Sequence, residues 1–109
     1  MSYKVLVTSI FQKDTKRLFK KHPSIKSDLR QLIKSLEENP TLGTSLGNSL
    51  YKIRVSIGST GKGKSGGARV ISLVKVVNES VFLLTIYSKS EKSSISKEEL
   101  KELILKLKK

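Results

Sequence analysis

Hydrophobic residues in this chain switch between two spacings, and each switch marks an element. Tyr3 to Thr8 (YKVLVT) is short and β-branched, with Val5 and Val7 on one face, and predicts a strand. Phe11, Leu18, Phe19 and His22 then follow at helical spacing, so residues 10–22 predict an amphipathic helix with Lys13, Lys16, Arg17, Lys20 and Lys21 outside. Ser9 and Gln12 stand where a capping box would open that helix, and Pro23 ends it. Ser24 is expected to cap a second helix whose buried stripe is Ile25, Leu29, Leu32, Ile33 and Leu36, with Asn39-Pro40 as its stop. So short a link predicts an antiparallel helical hairpin.

Beyond the hairpin the period becomes two. Residues 40–50 (PTLGTSLGNSL) read as a Gly- and Ser-rich connection. Tyr51, Ile53, Val55 and Ile57 face one way, and Lys52, Arg54 and Ser56 face the other. Residues 58–67 read as a loop. Ala68–Val77 and Ser80–Ser88 predict a hairpin about the turn Val77-Asn78-Glu79-Ser80, and their nearly continuous apolar character suits central strands. Ser96 and Glu99 form a second capping-box pair, opening a C-terminal helix with Leu100, Leu103, Ile104 and Leu107 on its apolar stripe and Lys106, Lys108 and Lys109 at its end. The order β-α-α-β-β-β-α predicts an α+β domain over residues 1–109. It would have an antiparallel four-stranded sheet, the helical hairpin on one face and a basic groove on the other.

Composition narrows the function classes. The 109 residues hold no cysteine, which excludes disulfides and thiolate metal sites, and a single histidine with few carboxylates argues against structural zinc. No apolar run is long enough to span a membrane, and the N-terminus does not read as a signal peptide, so a cytoplasmic protein with no membrane partner is expected. The net charge of +13 points to a nucleic acid, an acidic protein or both. The cations concentrate where acids are missing: Asp and Glu are absent between Glu38 and Glu79, a span that holds Lys52, Arg54, Lys62, Lys64 and Arg69. Such a field attracts a phosphate chain.

One motif points elsewhere. Gly58–Ser65 matches G-x-x-x-x-G-K-S, the P-loop pattern. That mechanism needs a helix N-terminus aimed at the phosphates, but ARVISLVKVV comes next and reads as a strand, so nucleotide hydrolysis is set aside. The segment reads instead as a glycine-rich loop whose backbone can approach a ligand closely. Lys62 and Lys64 would reach neighbouring phosphates there, or simply stand in solvent.

The element order, the strand YKIR, the loop GKGKSGGARVI and the later IYSKSEKSSIS together resemble the RelE/ParE superfamily of toxins, most nearly the HigB- and RelE-like members of bacterial type II toxin–antitoxin pairs. The resemblance covers nearly the whole chain. It implies a metal-independent endoribonuclease (an mRNA interferase) that cuts mRNA in the ribosomal A site and inhibits translation, with no cofactor. It also implies a cognate HigA- or RelB-like antitoxin. By position, the family's basic strand pair falls on Lys52 and Arg54, the arginine opening the next strand on Arg69, and the basic residue after the last strand on Lys89. The tyrosine that RelE uses near its C-terminal end has no clear match: Tyr87 lies slightly earlier, and no aromatic follows Lys92.

The residues suit that chemistry. RNA cleavage must take a proton from the 2′-hydroxyl, stabilise a pentacoordinate phosphate and return a proton to the 5′-oxygen. The lone His22, at a helix end, cannot serve as a pair. Lys52 and Arg54 share a strand face, and Arg69 can clamp a phosphate with two parallel N–H bonds. A lysine among other cations releases its proton more readily, so Lys52 or Lys89 is expected to transfer protons. Arginine keeps its proton, so Arg54 and Arg69 are expected to stabilise charge. Tyr87 shares the parity of Lys89 and could stack on a base, whereas Tyr51 faces away from Lys52 and reads as core. The antitoxin should be acidic, or carry an acidic segment, to cover the +13 surface. The alternatives are a ParE-like gyrase inhibitor and a non-catalytic basic RNA-binding module.

Overall fold

Two faces of one sheet organise the chain in the computed structural model, which describes residues 2–58 and 67–107. Strand β1 (Lys4–Val7) leads into helices α1 (Ser9–Lys21) and α2 (Ile25–Glu38). Strands β2 (Thr44–Gly47), β3 (Leu50–Val55), β4 (Ala68–Lys75) and β5 (Ser80–Ser88) come next, and helix α3 (Lys97–Leu107) closes the order. The helical hairpin, the β4–β5 hairpin and the C-terminal helix fall where the hydrophobic spacing put them.

The sheet itself departs from the four-stranded antiparallel expectation. It has five strands in the order β1-β5-β4-β3-β2, and β1 runs parallel to β5. The added strand, β2, lies inside the Gly- and Ser-rich connection. Asn48 and Ser49 turn it back onto β3 with φ of 52° and 65°, the positive pair that a tight two-residue hairpin demands. Local composition hides this strand because cross-strand bonding, not side-chain preference, makes it.

Capping differs at both helices of the hairpin. Thr8, not Ser9, caps α1: its Oγ1 accepts from the Phe11 N–H at 3.2 Å and donates to the Leu83 carbonyl at 2.9 Å. One hydroxyl therefore satisfies the helix start and ties it to β5, a role in which loss of a cap typically costs about 1 kcal/mol. Ser24 makes no capping bond to the backbone of α2. Its Oγ donates instead to Asp28 Oδ2 at 2.9 Å, and the same oxygen accepts from the Gly58 N–H at 3.1 Å. The capping box at α3 is present, with Ser96 N–H donating to Glu99 Oε1 and Glu99 N–H to Ser96 Oγ, both at 3.1 Å.

Each face has its own core. Phe11, Leu18, Ile25, Leu29, Leu32 and Leu36 from the helices bury against Ile53, Val70, Val81, Leu83 and Ile86. Each fully buried aliphatic side chain of this kind contributes about 1.5–3 kcal/mol. On the opposite face Leu50, Ile71, Leu73, Leu84 and Tyr87 form a second cluster, against which Leu100, Leu103, Ile104 and Leu107 of α3 rest half-buried. The open basic groove expected across that face is thus largely an apolar surface roofed by α3. Of the cations on that face, Arg54 and Arg69 stand where β3 finishes and β4 begins, whereas Lys75 closes the other end of β4 over the Phe82 ring.

A bulge decides which residues meet there. Ile71 pairs with Thr85 but Ser72 pairs with Leu83, so Leu84 is an extra residue in β5. Val81 and Leu83 face the helices, and by strict alternation Tyr87 would join them. After the bulge Ile86 takes that side and Tyr87 turns to the α3 face.

Candidate functional site

The site is a row across three strands. Arg54 of β3 stands opposite Arg69 of β4, and Arg69 stands opposite Tyr87 of β5. The Val74 N–H donates to the Ser49 carbonyl at 3.0 Å. Counting by alternation from that bond makes Arg54 and Arg69 a non-hydrogen-bonded pair, the closer of the two antiparallel types, with Cα atoms roughly 4.5 Å apart. Lys52 lies two residues along β3, opposite Ile71 and on the same face. At the other end the Lys89 N–H donates to the Gly67 carbonyl at 3.1 Å, so the pairing of β5 with the start of β4 continues to Lys89.

Like charges placed directly opposite destabilise a sheet. Arg69 is 6% exposed, and its Nη1 donates to the Ala68 carbonyl at 3.1 Å. Lys52 is half-buried, while Arg54 and Lys89 are exposed. Among the described residues none of Lys52, Arg54 and Lys89 has a carboxylate partner. An anion held between the arginines would relieve their repulsion. Two forked donors meeting over one anion are suited to the equatorial oxygens of a phosphate.

Tyr87 differs from the role foreseen for it. The ring is only 2% exposed, so it offers no surface on which a base could stack. Lys92 lies over its face, with Nζ 5.1 Å from the ring centre, and pairs with Glu99 Oε2 at 2.6 Å. Burial pushes the Tyr87 phenol above its usual range, and the Arg69 charge partly offsets that. The hydroxyl therefore keeps its proton at neutral pH, and among the described residues it has no hydrogen-bond partner. Lys92 does not stand out in the sequence. Its one signal is its place in the basic run after β5.

The segment after β5 is held by α1. Glu91 accepts from Arg17 Nε at 2.8 Å and from the Ser88 N–H at 3.0 Å, while Arg17 Nη1 reaches Asp14 at 2.7 Å. The Arg17 bond is the main cause holding the Glu91 carboxyl below its usual range. A depressed folded-state pKa contributes stability that is present above the unfolded value, about 4.3, and is lost as pH falls through the folded one. Urea unfolding should therefore find Glu91→Gln less stable than wild type at pH 7, with the gap closing in acid. A gap that is the same at both pH values would mean this carboxylate does not link folding to protons.

Lys62 and Lys64 lie outside the described residues, as does most of the P-loop-like segment. Strand β4, not a helix, is the next element after that segment, so the helix N-terminus that a P-loop requires is not there. Among the described residues no group of three His, Cys, Asp or Glu could hold a metal ion, and no helix is long and apolar enough to cross a membrane.

Residues 4–108 match the family model described as RelE toxin of the RelE/RelB toxin–antitoxin system. An Escherichia coli toxin RelE with two arginines replaced by alanine, solved in the free state, is similar to this chain with a TM-score of 0.65 at 16% identity, over 97% of this chain and 98% of that one. A RelBE toxin–antitoxin complex from Mycobacterium tuberculosis matches with a TM-score of 0.62 at 17% identity, over 81% of this chain and 99% of that one. For the intact Escherichia coli RelBE complex the values are 0.59 and 17%, over 78% and 94%. At these identities the likeness to the solved structures is one of fold.

Proposed function

The chain belongs to the RelE toxin family, and on that premise we propose that it is the toxin of a type II toxin–antitoxin pair and cleaves mRNA on the ribosome. The observation that carries the reading is the opposed pair Arg54 and Arg69, flanked by Lys52 and Lys89. Arg54 and Arg69 hold the scissile phosphate and the charge that builds on its oxygens. Lys52 and Lys89 are the proton carriers. One takes the proton of the 2′-hydroxyl as its oxygen attacks phosphorus, and the other protonates the 5′-oxygen as the P–O5′ bond breaks. The charge is met by guanidinium groups, so the step is written without a metal. Lys62 and Lys64 extend the phosphate track along the message. The partner that silences the toxin is an antitoxin with an acidic segment, matched to the +13 surface.

Primer extension on an mRNA in a purified translation system tests this. Cuts are expected inside the translated frame, and only when ribosomes occupy the message. Intact message after prolonged incubation with ribosomes and wild-type protein would sink the reading.

A further inference from the structure

The outer edge of β3 is covered over only part of its length. β2 pairs with Leu50, Tyr51 and Lys52 and stops there, so among the described residues positions 53–55 have no strand beyond them. The alternation that pairs Ile53 and Val55 with β4 turns the N–H and C=O of Arg54 the other way, side by side at the open edge. Between this edge and α2 lies a cavity of about 280 Å³. Ile53 and Arg54 line it on one side. Asp28, Gln31, Leu32 and Ser35, one stripe of α2, line it on the other.

Leu32 and Ile53 are buried, so the cavity has an apolar floor; Gln31 and Ser35 are exposed at its rim. Asp28 Oδ2 takes the bonds from Ser24 and Gly58, which fix the carboxylate and leave Oδ1 as an acceptor. The volume falls just under the small-molecule range of about 300–1,000 Å³. That suits one planar heterocycle and excludes a helix. A carboxylate in the wall repels phosphate but accepts from an amino group. Arg54 links this cavity to the phosphate row, since its backbone borders the one and its side chain belongs to the other.

We infer that this cavity is a nucleobase subsite, in which the Arg54 backbone pair and Asp28 receive the amino edge of one RNA base, an adenine or a cytosine. Both present an exocyclic amino donor beside a ring acceptor, the complement of a C=O beside an N–H; uracil has no amino group for the carboxylate. The subsite rests on the RNA-cleaving reading above and adds to it a position at which the base matters.

Two measurements separate the failure of one from the failure of the other. The first is a cut-site census by primer extension over many messages, with wild type and with Ser35→Phe, which fills the cavity from an exposed helix position. Wild type should prefer adenine or cytosine at one fixed position by roughly tenfold or more over uracil. Ser35→Phe should cut with that preference flattened. Cleavage by both proteins with the same preference, or with none, overturns the subsite and leaves the endonuclease standing.

The second measurement is an amide NMR titration with 2′-O-methyl oligoadenylate and oligouridylate, which needs no cleavage. Shifts at the Arg54 amide and the Gln31 side chain with the adenylate alone support the subsite even where no message is cut. Equal shifts with both, none with either, or displacement only by an extended peptide overturn it.

Discussion

Arg69→Ala is expected to lower single-turnover cleavage of ribosome-bound mRNA by roughly 10²–10³-fold, the usual effect of deleting one donor to a transition-state oxyanion. Arg69 is the middle member of the row, opposite Arg54 on one side and Tyr87 on the other. Burial to 6% exposure holds its fork in place and strengthens its field. Binding of RNA should fall much less, since Lys52, Arg54 and Lys89 still supply attraction. Arg69→Lys keeps the charge without the fork and should recover only a small part of the rate. Because Arg69 is buried, thermal unfolding must accompany the kinetics. A folded Arg69→Ala that cuts at the wild-type rate would remove Arg69 from the site.

The largest effect on stability should come from Gly67→Ala. A Cβ on Gly67 would stand 2.0 Å from the Val55 carbonyl oxygen and 3.0 Å from its carbon. Those atoms are backbone in the paired end of β3, where Val55 meets Ala68. They cannot yield unless β3 lifts from β4. Overpacking of this kind costs about 3 kcal/mol or more, or roughly 10–20 °C in Tm for a domain of this size. The same movement would separate Arg54 from Arg69 and release the Lys89 N–H from the Gly67 carbonyl, so activity should fall with stability. Gly47→Ala is the control. Nothing lies within 4 Å of its added Cβ, but its φ is +87°, so only a backbone cost of about 1–2 kcal/mol is expected. Equal melting temperatures for the two variants would show that the close approach at Gly67 is not a constraint.

Much of the fold was legible in local pattern. The helical stripe of α2, that of α1 apart from Phe19, the alternation of β3 and the box at Ser96 and Glu99 each depend on residues within a few positions of one another, and each lies where its spacing predicts. Phe19 is instead exposed, with Lys26 over its ring. Misreadings occurred where a local signal had a distant competitor. Ser9 looked like the cap, but Thr8 can also bond the Leu83 carbonyl across the fold, and so takes the role. The Gly- and Ser-rich segment before β3 looked like a loop, yet positive φ at Asn48 and Ser49 folds it onto its neighbour as β2. For the site, charge and parity were enough to group Lys52 with Arg54 and to separate Tyr51 from them. The covered state of Tyr87 and the place of Lys92 above it were not legible, because both depend on where α3 docks.

By itself, then, the sequence determined the types of every element but β2, the net charge of +13, the acid-free span and the identity of its cations. These are properties of neighbours along the chain. Only the tertiary structure decided that β1 lies parallel to β5, that Arg54 faces Arg69, and that Arg54 borders a cavity. The reason is that strand register is a relation between distant segments, and one extra residue reverses every face beyond it. Leu84 is that residue in β5: without its bulge Tyr87 would lie under the helices instead of beside Arg69.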